Sequence, residues 1–261
     1  ILYTRSPRKI MNILVGNTGF VGKNLKEKIT FDYEFNSSNI EKLKECKPYS
    51  NIYLSCLPAT KWKVNQNLYQ DIKNINKLIE FLKDNKYNNV YLISTIDVYS
   101  DSPLEVDEDY KPNFSSINYG SNRLFFEYYL KEVIDFKNFK IFRLPALYGK
   151  YLKKNVIFDL INNNQLEKIN LNSYYQWYDL NDLANHIKQF SSFDGEVFNL
   201  FTEPIHTYEL VNTFFPDKKI GYFGNTIKYN FKTKYSENKY LYDHEESLNK
   251  IRSFLNEIRN Y

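Results

Sequence analysis

The chain has 261 residues but only two cysteines and no long apolar run. Cys46 and Cys56 cannot build a disulfide framework, so we expect reduced thiols in a cytoplasmic protein. No apolar stretch approaches the roughly 20 residues that a transmembrane helix needs, and we expect no membrane partner. The basic segment at residues 1–10 has no apolar stretch behind it, which argues against a secretory signal. We interpret it as a leader or upstream sequence.

A large excess of charge of one sign is also missing. The net charge is +4, and acidic residues are interleaved with basic ones along the chain. This distribution gives no footprint for a nucleic acid, so we expect no such partner. The three histidines, His186, His206 and His244, lack the spacing of metal ligands. We therefore predict no metal site and assign them to surface or helix-end positions.

What the sequence does contain is a regular alternation of short apolar runs and helix-length segments. Strands are predicted at Met11–Val15, Asn51–Leu57, Val90–Thr95 and about Phe139–Leu144. Helices are predicted from the stripe Val21, Leu25 and Ile29 and over about Val64–Lys83 and Asn118–Val133. Strands that alternate with helices in this way predict an α/β protein with a doubly wound parallel sheet of the Rossmann type.

Beyond Gly149 the alternation is less regular. Helices are predicted at Asn155–Asn162, Asp182–Phe190 and Glu245–Ile258, with Asp182 as an N-cap or first-turn acid. Glu196–Phe201 is predicted as one more strand of the main sheet. We predict a Rossmann domain over residues 11–150 and a smaller C-terminal part over 151–261, which returns in part to the sheet near 175–201.

The run GNTGFVG lies between the first strand and the first helix. Gly16 permits a tight turn, Gly19 lets the backbone approach a pyrophosphate, and Gly22 lets helix and strand pack closely. The helix N-terminus adds free N–H groups. This context predicts a nicotinamide dinucleotide cofactor, and a glycine-rich turn without a ligand is the alternative. The cofactor contacts predicted in this loop are Gly16, Thr18, Gly19, Phe20, Val21 and Gly22.

The choice between NAD and NADP is left open, with a lean toward NADP. NAD sites carry an acid at the end of the second strand, which we place near Phe35. Asn36 follows there, with no evident carboxylate and no arginine for a 2′-phosphate. Ser55, Cys56 and Ser94 end other strands and are further predicted cofactor contacts, although plain packing is an equal alternative for Ser55 and Cys56. No motif surrounds Cys56 as a nucleophile.

Two further motifs extend this pattern. Ser94–Tyr99 (STIDVY) ends a predicted strand, and Tyr119–Arg123 (YGSNR) opens a predicted helix. Together with the glycine loop, the chain from Met11 onward resembles the extended short-chain dehydrogenase/reductase family of nucleotide-sugar epimerases, dehydratases and reductases. The resemblance continues in Arg143–Gly149 (RLPALYG) and in Gln176–Ile187 (QWYDLNDLANHI).

The resemblance implies a catalytic set of Thr95, Tyr119 and Arg123. Thr95 would hydrogen-bond the reacting oxygen, and Tyr119 would be the general acid/base. The family has a lysine four residues after the tyrosine, where this chain has Arg123. Arginine can supply positive charge and bond the ribose of the cofactor, but it cannot relay a proton. The resemblance adds Arg123 and Pro145 to the predicted cofactor contacts.

The resemblance also implies a nucleotide-sugar substrate held by the C-terminal part, and it is compatible with a homodimer. The dehydratase members have an Asp–Glu pair after the threonine, whereas this chain has Ile96 and Asp97. Since Ile96 cannot donate a proton, we predict a 4-reductase or 4-epimerase. The alternatives are an atypical reductase of a non-sugar carbonyl and a catalytically silent dinucleotide sensor or scaffold. Substrate contacts or ordinary packing are equal alternatives for Lys153, Lys154, Tyr174, Tyr175, Trp177 and Tyr178.

Overall fold

A six-stranded parallel sheet is the centre of the fold. The computed structural model describes residues 10–221 and 224–259, so the predicted leader lies outside the described residues apart from Ile10. In chain order the strands are β1 (Asn12–Val15), β2 (Tyr33–Phe35), β3 (Ser50–Leu54), β4 (Lys86–Thr95), β5 (Asp135–Leu144), β6 (Ala146–Tyr148), β7 (Tyr174–Tyr175), β8 (Trp177–Asp179), β9 (Val197–Asn199) and β10 (Ile205–His206). The sheet has the order β2-β1-β3-β4-β5-β9.

The strand order reverses direction between β1 and β3. From β1 the chain first moves outward to β2 and then returns to the other side of β1, where Ile13 pairs with Ile52. Ligands of doubly wound sheets bind at such a switch point, beyond the carboxyl ends of the strands. The predicted α/β class and doubly wound parallel sheet are confirmed.

Eight α-helices accompany the strands in the described part of the chain: α1 (Phe20–Lys26), α2 (Lys61–Asn65), α3 (Leu68–Leu82), α4 (Tyr119–Val133), α5 (Val156–Asn162), α6 (Leu183–Phe190), α7 (Thr207–Phe214) and α8 (His244–Arg259). Short 3-10 helices cover Ile40–Glu45, Ile96–Tyr99, Leu166–Lys168 and Leu180–Asp182. None of the helices in the described ranges is long and apolar enough to cross a bilayer.

The two faces of the sheet build two separate cores. Successive strand residues point to opposite faces, so Ile13 and Val15 pack with Ile75 and Ile79 of α3, whereas Leu14 packs with Leu183 of α6. The first core also takes Phe126 and Leu130 of α4, and the second takes Leu25 of α1. Burial on both faces explains why these strands read as uninterrupted apolar runs.

A third core holds the C-terminal part together. Ile157 and Leu160 of α5 pack with Leu210 of α7 and Ile251 of α8 around the buried Trp177. The predicted strand Glu196–Phe201 is present in shorter form as β9, which pairs in parallel with β5. The chain after residue 151 therefore contributes both a separate core and one strand of the main sheet.

Several predicted bounds need correction. The amphipathic stretch Val64–Lys83 is two helices, because Asn67 leaves the helical conformation and caps α3 by accepting a hydrogen bond from the Gln70 N–H. Helix α1 ends at Lys26, so Ile29 lies beyond it. Asp182 has no capping hydrogen bond to α6; its carboxylate instead accepts from Tyr242 and Lys250, each at 2.9 Å.

Candidate functional site

The three glycines of the loop after β1 have different packing roles. Gly16 has φ +99°, and a Cβ there would lie 2.3 Å from the Ser55 carbonyl oxygen. A Cβ on Gly22 would lie 2.2 Å from the carbonyl oxygen of Gly16, so helix and strand meet closely at this residue. A Cβ on Gly19 would lie 3.3 Å from the Gly16 carbonyl oxygen, a tight contact that only a small shift would relieve. Gly16 and Gly22 thus fix the loop, while Gly19 is the least crowded of the three glycines.

A cleft of about 1180 Å³ opens at the carboxyl ends of the strands, next to this loop. It is lined by Gly19, by Thr95 after β4 and by Tyr119 at the start of α4. Of the predicted cofactor and catalytic residues, those on its wall are Gly16, Thr18, Gly19, Phe20, Val21, Asn36, Ser55, Cys56, Ser94, Thr95, Tyr119, Arg123 and Pro145. Gly22 lies behind the loop and does not line the cleft.

The end of β2 contains a carboxylate, Glu34, that the sequence analysis did not identify. Glu34 accepts hydrogen bonds from Asn17 of the glycine loop at 3.1 Å and from Lys26 of α1 at 2.5 Å. It braces the loop and is absent from the cleft wall. Asn36 lines the cleft instead, and its side-chain oxygen accepts from the N–H and hydroxyl of Ser38. The group that the cleft presents at this strand end is therefore a neutral amide.

Thr95 belongs to a polar network that the sequence reading did not anticipate. Its hydroxyl accepts from the Asp97 N–H at 3.2 Å and lies 3.3 Å from the Asp97 carboxylate. Lys61 of α2 and Tyr229 of the C-terminal part donate to the same carboxylate, at 2.6 and 2.7 Å. Asp97 thus joins three distant segments beside the predicted catalytic threonine. The Ser94 hydroxyl turns away from Asp97 and donates to Glu127.

Local structure at the start of α4 brings Tyr119 to Thr95. Asn118 caps the helix in a capping box with Ser121, and Asn65 of α2 accepts a hydrogen bond from the Tyr119 N–H at 2.9 Å. A Cβ on Gly120 would lie 2.0 Å from the Asp97 carbonyl oxygen. The glycine after the tyrosine therefore lets α4 press against the segment that carries Thr95.

Arg123 is bound by the protein itself. Its Nη1 donates to the Asp71 carboxylate at 2.7 Å, and its Nη2 donates to the Pro58 carbonyl at 2.8 Å. Both charged side chains are about 95% buried. Asp71 lies on α3, more than 50 residues away along the chain. A single sequence gives no spacing that would pair an acid this remote with Arg123. The position of Asp71 on the helix face toward the core is the one feature that could have indicated a buried partner.

The Arg123 guanidinium lies over the Tyr119 ring, 4.4 Å from the ring centroid. Burial raises the pKa of Tyr119, and the nearby carboxylates of Asp97 and Asp71 raise it further, while the charge of Arg123 lowers it. The net direction is upward. A tyrosine in this setting keeps its proton at neutral pH, which suits a group that donates a proton to a reacting oxygen.

The rim of the cleft is basic and aromatic. Lys153, Lys154, Tyr151 and Trp62 line it, and Lys154 bridges to the Ala59 carbonyl and the Thr60 hydroxyl at 3.0 and 2.7 Å. The aromatic cluster proposed for the same wall lies elsewhere, since none of Tyr174, Tyr175, Trp177 and Tyr178 lines the cleft. Trp177 and Tyr178 are core residues.

His186 and Cys56 lie in settings that do not favour reactivity. His186 is buried and bonds Tyr178 and Tyr242, which corrects the expected surface position. Burial raises the pKa of the Cys56 thiol to about 12, so it stays protonated and is a poor nucleophile. In the described ranges no group of three or more His, Cys, Asp or Glu residues is arranged to hold a metal ion.

Comparison with solved structures places this architecture among known folds. A UDP-glucose 4-epimerase of Thermotoga maritima, solved with UDP-glucose, matches with TM-score 0.69 and 17% identity over 87% of this chain and 92% of the other. An NAD-dependent NDP-hexosamine 5,6-dehydratase of tunicamycin biosynthesis matches with TM-score 0.73 and 13% identity over 97% and 99%. A Bacillus anthracis dTDP-4-dehydrorhamnose reductase in complex with NADP matches with TM-score 0.63 and 17% identity over 95% and 94%.

The chain has the fold of these enzymes. No family model and no curated protein matches the sequence. At such low identities the likeness concerns the backbone architecture, and activity has to be argued from the site.

Proposed function

We propose that the protein is an NAD(P)-dependent nucleotide-sugar 4-reductase or 4-epimerase. The observation that carries the proposal is that Thr95 and Tyr119 line the same cleft as Gly19 of the glycine loop. The three solved proteins compared above are a UDP-glucose epimerase, an NDP-hexosamine dehydratase and a dTDP-sugar reductase, which supports a nucleotide-linked sugar as the substrate class.

The cleft residues fit a dinucleotide. A Cβ would fill the backbone cradle at Gly16 and Gly22, and Gly19 lies between them on the cleft wall. Ile40, Leu78 and Phe81 supply apolar side chains on the cleft wall near Asn36. When bound, a nicotinamide cofactor supplies hydride transfer. The neutral Asn36 in place of an acid supports a lean toward NADP.

The proposed roles of the protein side chains follow from their contacts. Tyr119 gives a proton to, or takes one from, the sugar oxygen, and Thr95 orients that oxygen by a hydrogen bond. The Thr95 hydroxyl now contacts Asp97, so substrate binding has to redirect it. Lys153 and Lys154 on the rim suit the diphosphate of the substrate, and with Tyr151 and Asn155 they are the residues of the C-terminal part that line the cleft.

Dehydration is not part of the proposal. Ile96 is only 3% exposed and packs in a small core with Val98 and Tyr99, so no acid stands at this position. Of the two positions after Thr95, only the second has a carboxylate, that of Asp97, which lines the cleft. Incubation with UDP-, dTDP- or GDP-hexoses is expected to give no 4-keto-6-deoxy product, and loss of one water by mass would contradict this part.

The decisive test measures NADH and NADPH binding by fluorescence and turnover on a panel of nucleotide-linked 4-keto sugars and their parent sugars. Gly19→Val places a branched side chain where the cofactor pyrophosphate has to approach, so we expect binding to be lost in a folded protein. Ser192→Val adds the same side chain at an exposed position and is the control. Unchanged affinity in the Gly19 variant would reject the cofactor site.

One observation favours a second candidate, a dinucleotide-binding sensor without catalysis. Asp71 and Pro58 occupy donors of Arg123 that would otherwise be available to the ribose. Tight cofactor binding with no turnover of any substrate in the panel would favour the sensor. A homodimer through α4, whose Phe125, Tyr128 and Tyr129 are exposed, is proposed for either candidate.

A further inference from the structure

A buried acid on α3 controls the geometry of the predicted catalytic pair. Asp71 is 4% exposed, and its carboxylate accepts from both Nη1 and Nη2 of Arg123, at 2.7 and 3.3 Å. Asn122, the neighbour of Arg123 on α4, donates to the same carboxylate at 2.9 Å. Two parallel N–H···O bonds fix the plane of a guanidinium as well as its position, which a single contact would not do.

The remaining contacts of Arg123 complete this restraint. Nη2 also donates to the Pro58 carbonyl, which follows β3, so the guanidinium joins α3, α4 and the wall of the cleft. Its face covers the Tyr119 ring. The Nε atom is buried without a hydrogen-bond partner among the described residues. An unsatisfied donor costs free energy, so the other contacts of Arg123 hold it in an orientation that its Nε does not favour.

We propose that Asp71 is a positioning residue of this site: its carboxylate holds the Arg123 guanidinium against the Tyr119 ring and offsets part of the positive charge that reaches the Tyr119 hydroxyl. The proposal rests on the proposed role of Tyr119. It also explains how an arginine can stand here, because a bidentate pairing with a carboxylate suits a guanidinium better than an ammonium.

The charges around Tyr119 come from several elements. Arg123 lies on its own helix, Asp71 on α3, and Asp97 on the 3-10 helix after β4. Lys61 of α2 and the Tyr229 hydroxyl act through Asp97, to which both donate. Of these groups, Asp71 is the carboxylate that contacts Arg123 directly. Its removal should therefore expose Tyr119 to the full charge of Arg123 while leaving the network of Asp97 in place.

The experiment titrates Tyr119 directly in the full chain, with ¹³Cζ-labelled tyrosine followed by NMR. The Tyr119 resonance is the one that disappears in Tyr119→Phe. In Asp71→Asn, which keeps the shape of the side chain and one acceptor oxygen, the pKa of Tyr119 should fall by about one unit. Asp84→Asn removes an exposed carboxylate just after the same helix and should leave it unchanged. Asp71→Glu keeps the charge and should stay near the wild-type value.

An unchanged pKa of Tyr119 in folded Asp71→Asn would overturn the proposal. If that variant does not fold, the pKa of Tyr119 is compared between Arg123→Gln and the double variant Asp71→Asn/Arg123→Gln. The double variant contains no unpaired buried charge. The double variant should have the lower pKa of Tyr119, and equal values would reject a role for Asp71. Because the titration needs no substrate, a protein without turnover still tests Asp71. If turnover is found, the alkaline limb of its pH profile should shift in the same direction.

Discussion

Helix α4 has two buried ion pairs one turn apart, and they differ in how completely they are satisfied. Glu127 pairs with Arg143 of β5 through Nη2 at 2.6 Å and Nε at 3.1 Å, and the Arg143 Nη1 bonds the Tyr99 hydroxyl. Arg123 pairs with Asp71 but leaves its Nε without a partner in the described part of the chain. The first pair joins α4 to β5, an interior strand of the sheet, and Arg123 of the second pair lies on the cleft wall.

The comparison separates a fully hydrogen-bonded ion pair from one that lies beside the proposed proton donor. Every guanidinium nitrogen of Arg143 has a partner. Burial lowers the pKa of Arg143, but Glu127 and Tyr99 raise it by more, so the net direction is upward and this charge is permanent. The Arg123 Nε has no hydrogen-bond partner among the described residues, and Arg123 lies beside the proposed proton donor Tyr119. Sites that tolerate an unsatisfied buried group are often those at which function outweighs stability.

The largest expected effect concerns Tyr119, whose ring is covered by Arg123 of the second pair. Tyr119→Phe should reduce turnover by about 10²–10⁴-fold, which is the usual contribution of a general acid/base. Cofactor affinity should change little. Tyr208→Phe removes the same hydroxyl from an exposed position of α7 and is the control. Steady-state kinetics on the substrate that turns over decides this, and a variant with wild-type turnover would place the chemistry elsewhere.

Breaking the satisfied pair should instead reduce stability. Glu127→Gln leaves Arg143 buried without a counter-charge, and we expect a loss of about 3–5 kcal/mol in the free energy of unfolding. Glu132→Gln changes an exposed residue of the same helix and should have little effect. Urea unfolding measures both variants. A loss no larger than that of the control would mean that the Glu127 pair contributes as little as a surface ion pair.

Arg123→Lys should have a smaller effect on both properties. Lysine keeps the positive charge but loses the fork that bonds Asp71 and Pro58, so we expect a loss of about 1–2 kcal/mol in unfolding free energy. Turnover should be retained within about tenfold, since charge near Tyr119 remains. Arg252→Lys, at an exposed position of α8, is the matched control. Complete loss of turnover would show that the guanidinium geometry, and not its charge, is essential.

The smallest effect concerns a carboxylate that lacks the pairing seen on α4. Burial raises the pKa of Asp179 to about 6, and no cation lies within salt-bridge distance of it among the described residues. The folded state then binds an extra proton between about pH 4 and 6, so stability falls as the pH rises through this window. Asp179→Asn should therefore be more stable than wild type above pH 6, by about 1 kcal/mol after allowance for partial exposure.

Urea unfolding of the Asp179 variant at pH 4 and pH 7 checks the sign. The advantage over wild type should be present at pH 7 and absent at pH 4. Asp194→Asn, which removes an exposed carboxylate, should show no such difference between the two pH values. An advantage of equal size at both pH values would mean that its origin is packing and not ionisation.

Local patterns were sufficient for the sheet and the glycine loop. The apolar run before Gly16 predicted β1, and its continuity is explained by burial on both faces. The spacing of Tyr119 and Arg123 placed both on one helix, which the structure confirms. Short-range signals of this kind survive because they depend on residues a few positions apart. The ends of α1 and the break before α3 were missed because caps depend on single residues such as Asn67.

The sequence by itself determined the doubly wound sheet and the position of a glycine loop between its first strand and first helix, since both follow from hydrophobic period and backbone freedom. Only the tertiary structure decided what Arg123 contacts, because Asp71 and Pro58 reach it from segments more than 50 residues away. The same holds for Asp97, which Tyr229 reaches across 132 positions. Electrostatic interaction depends on distance in space and on burial, and neither quantity can be read from the order of residues along a chain.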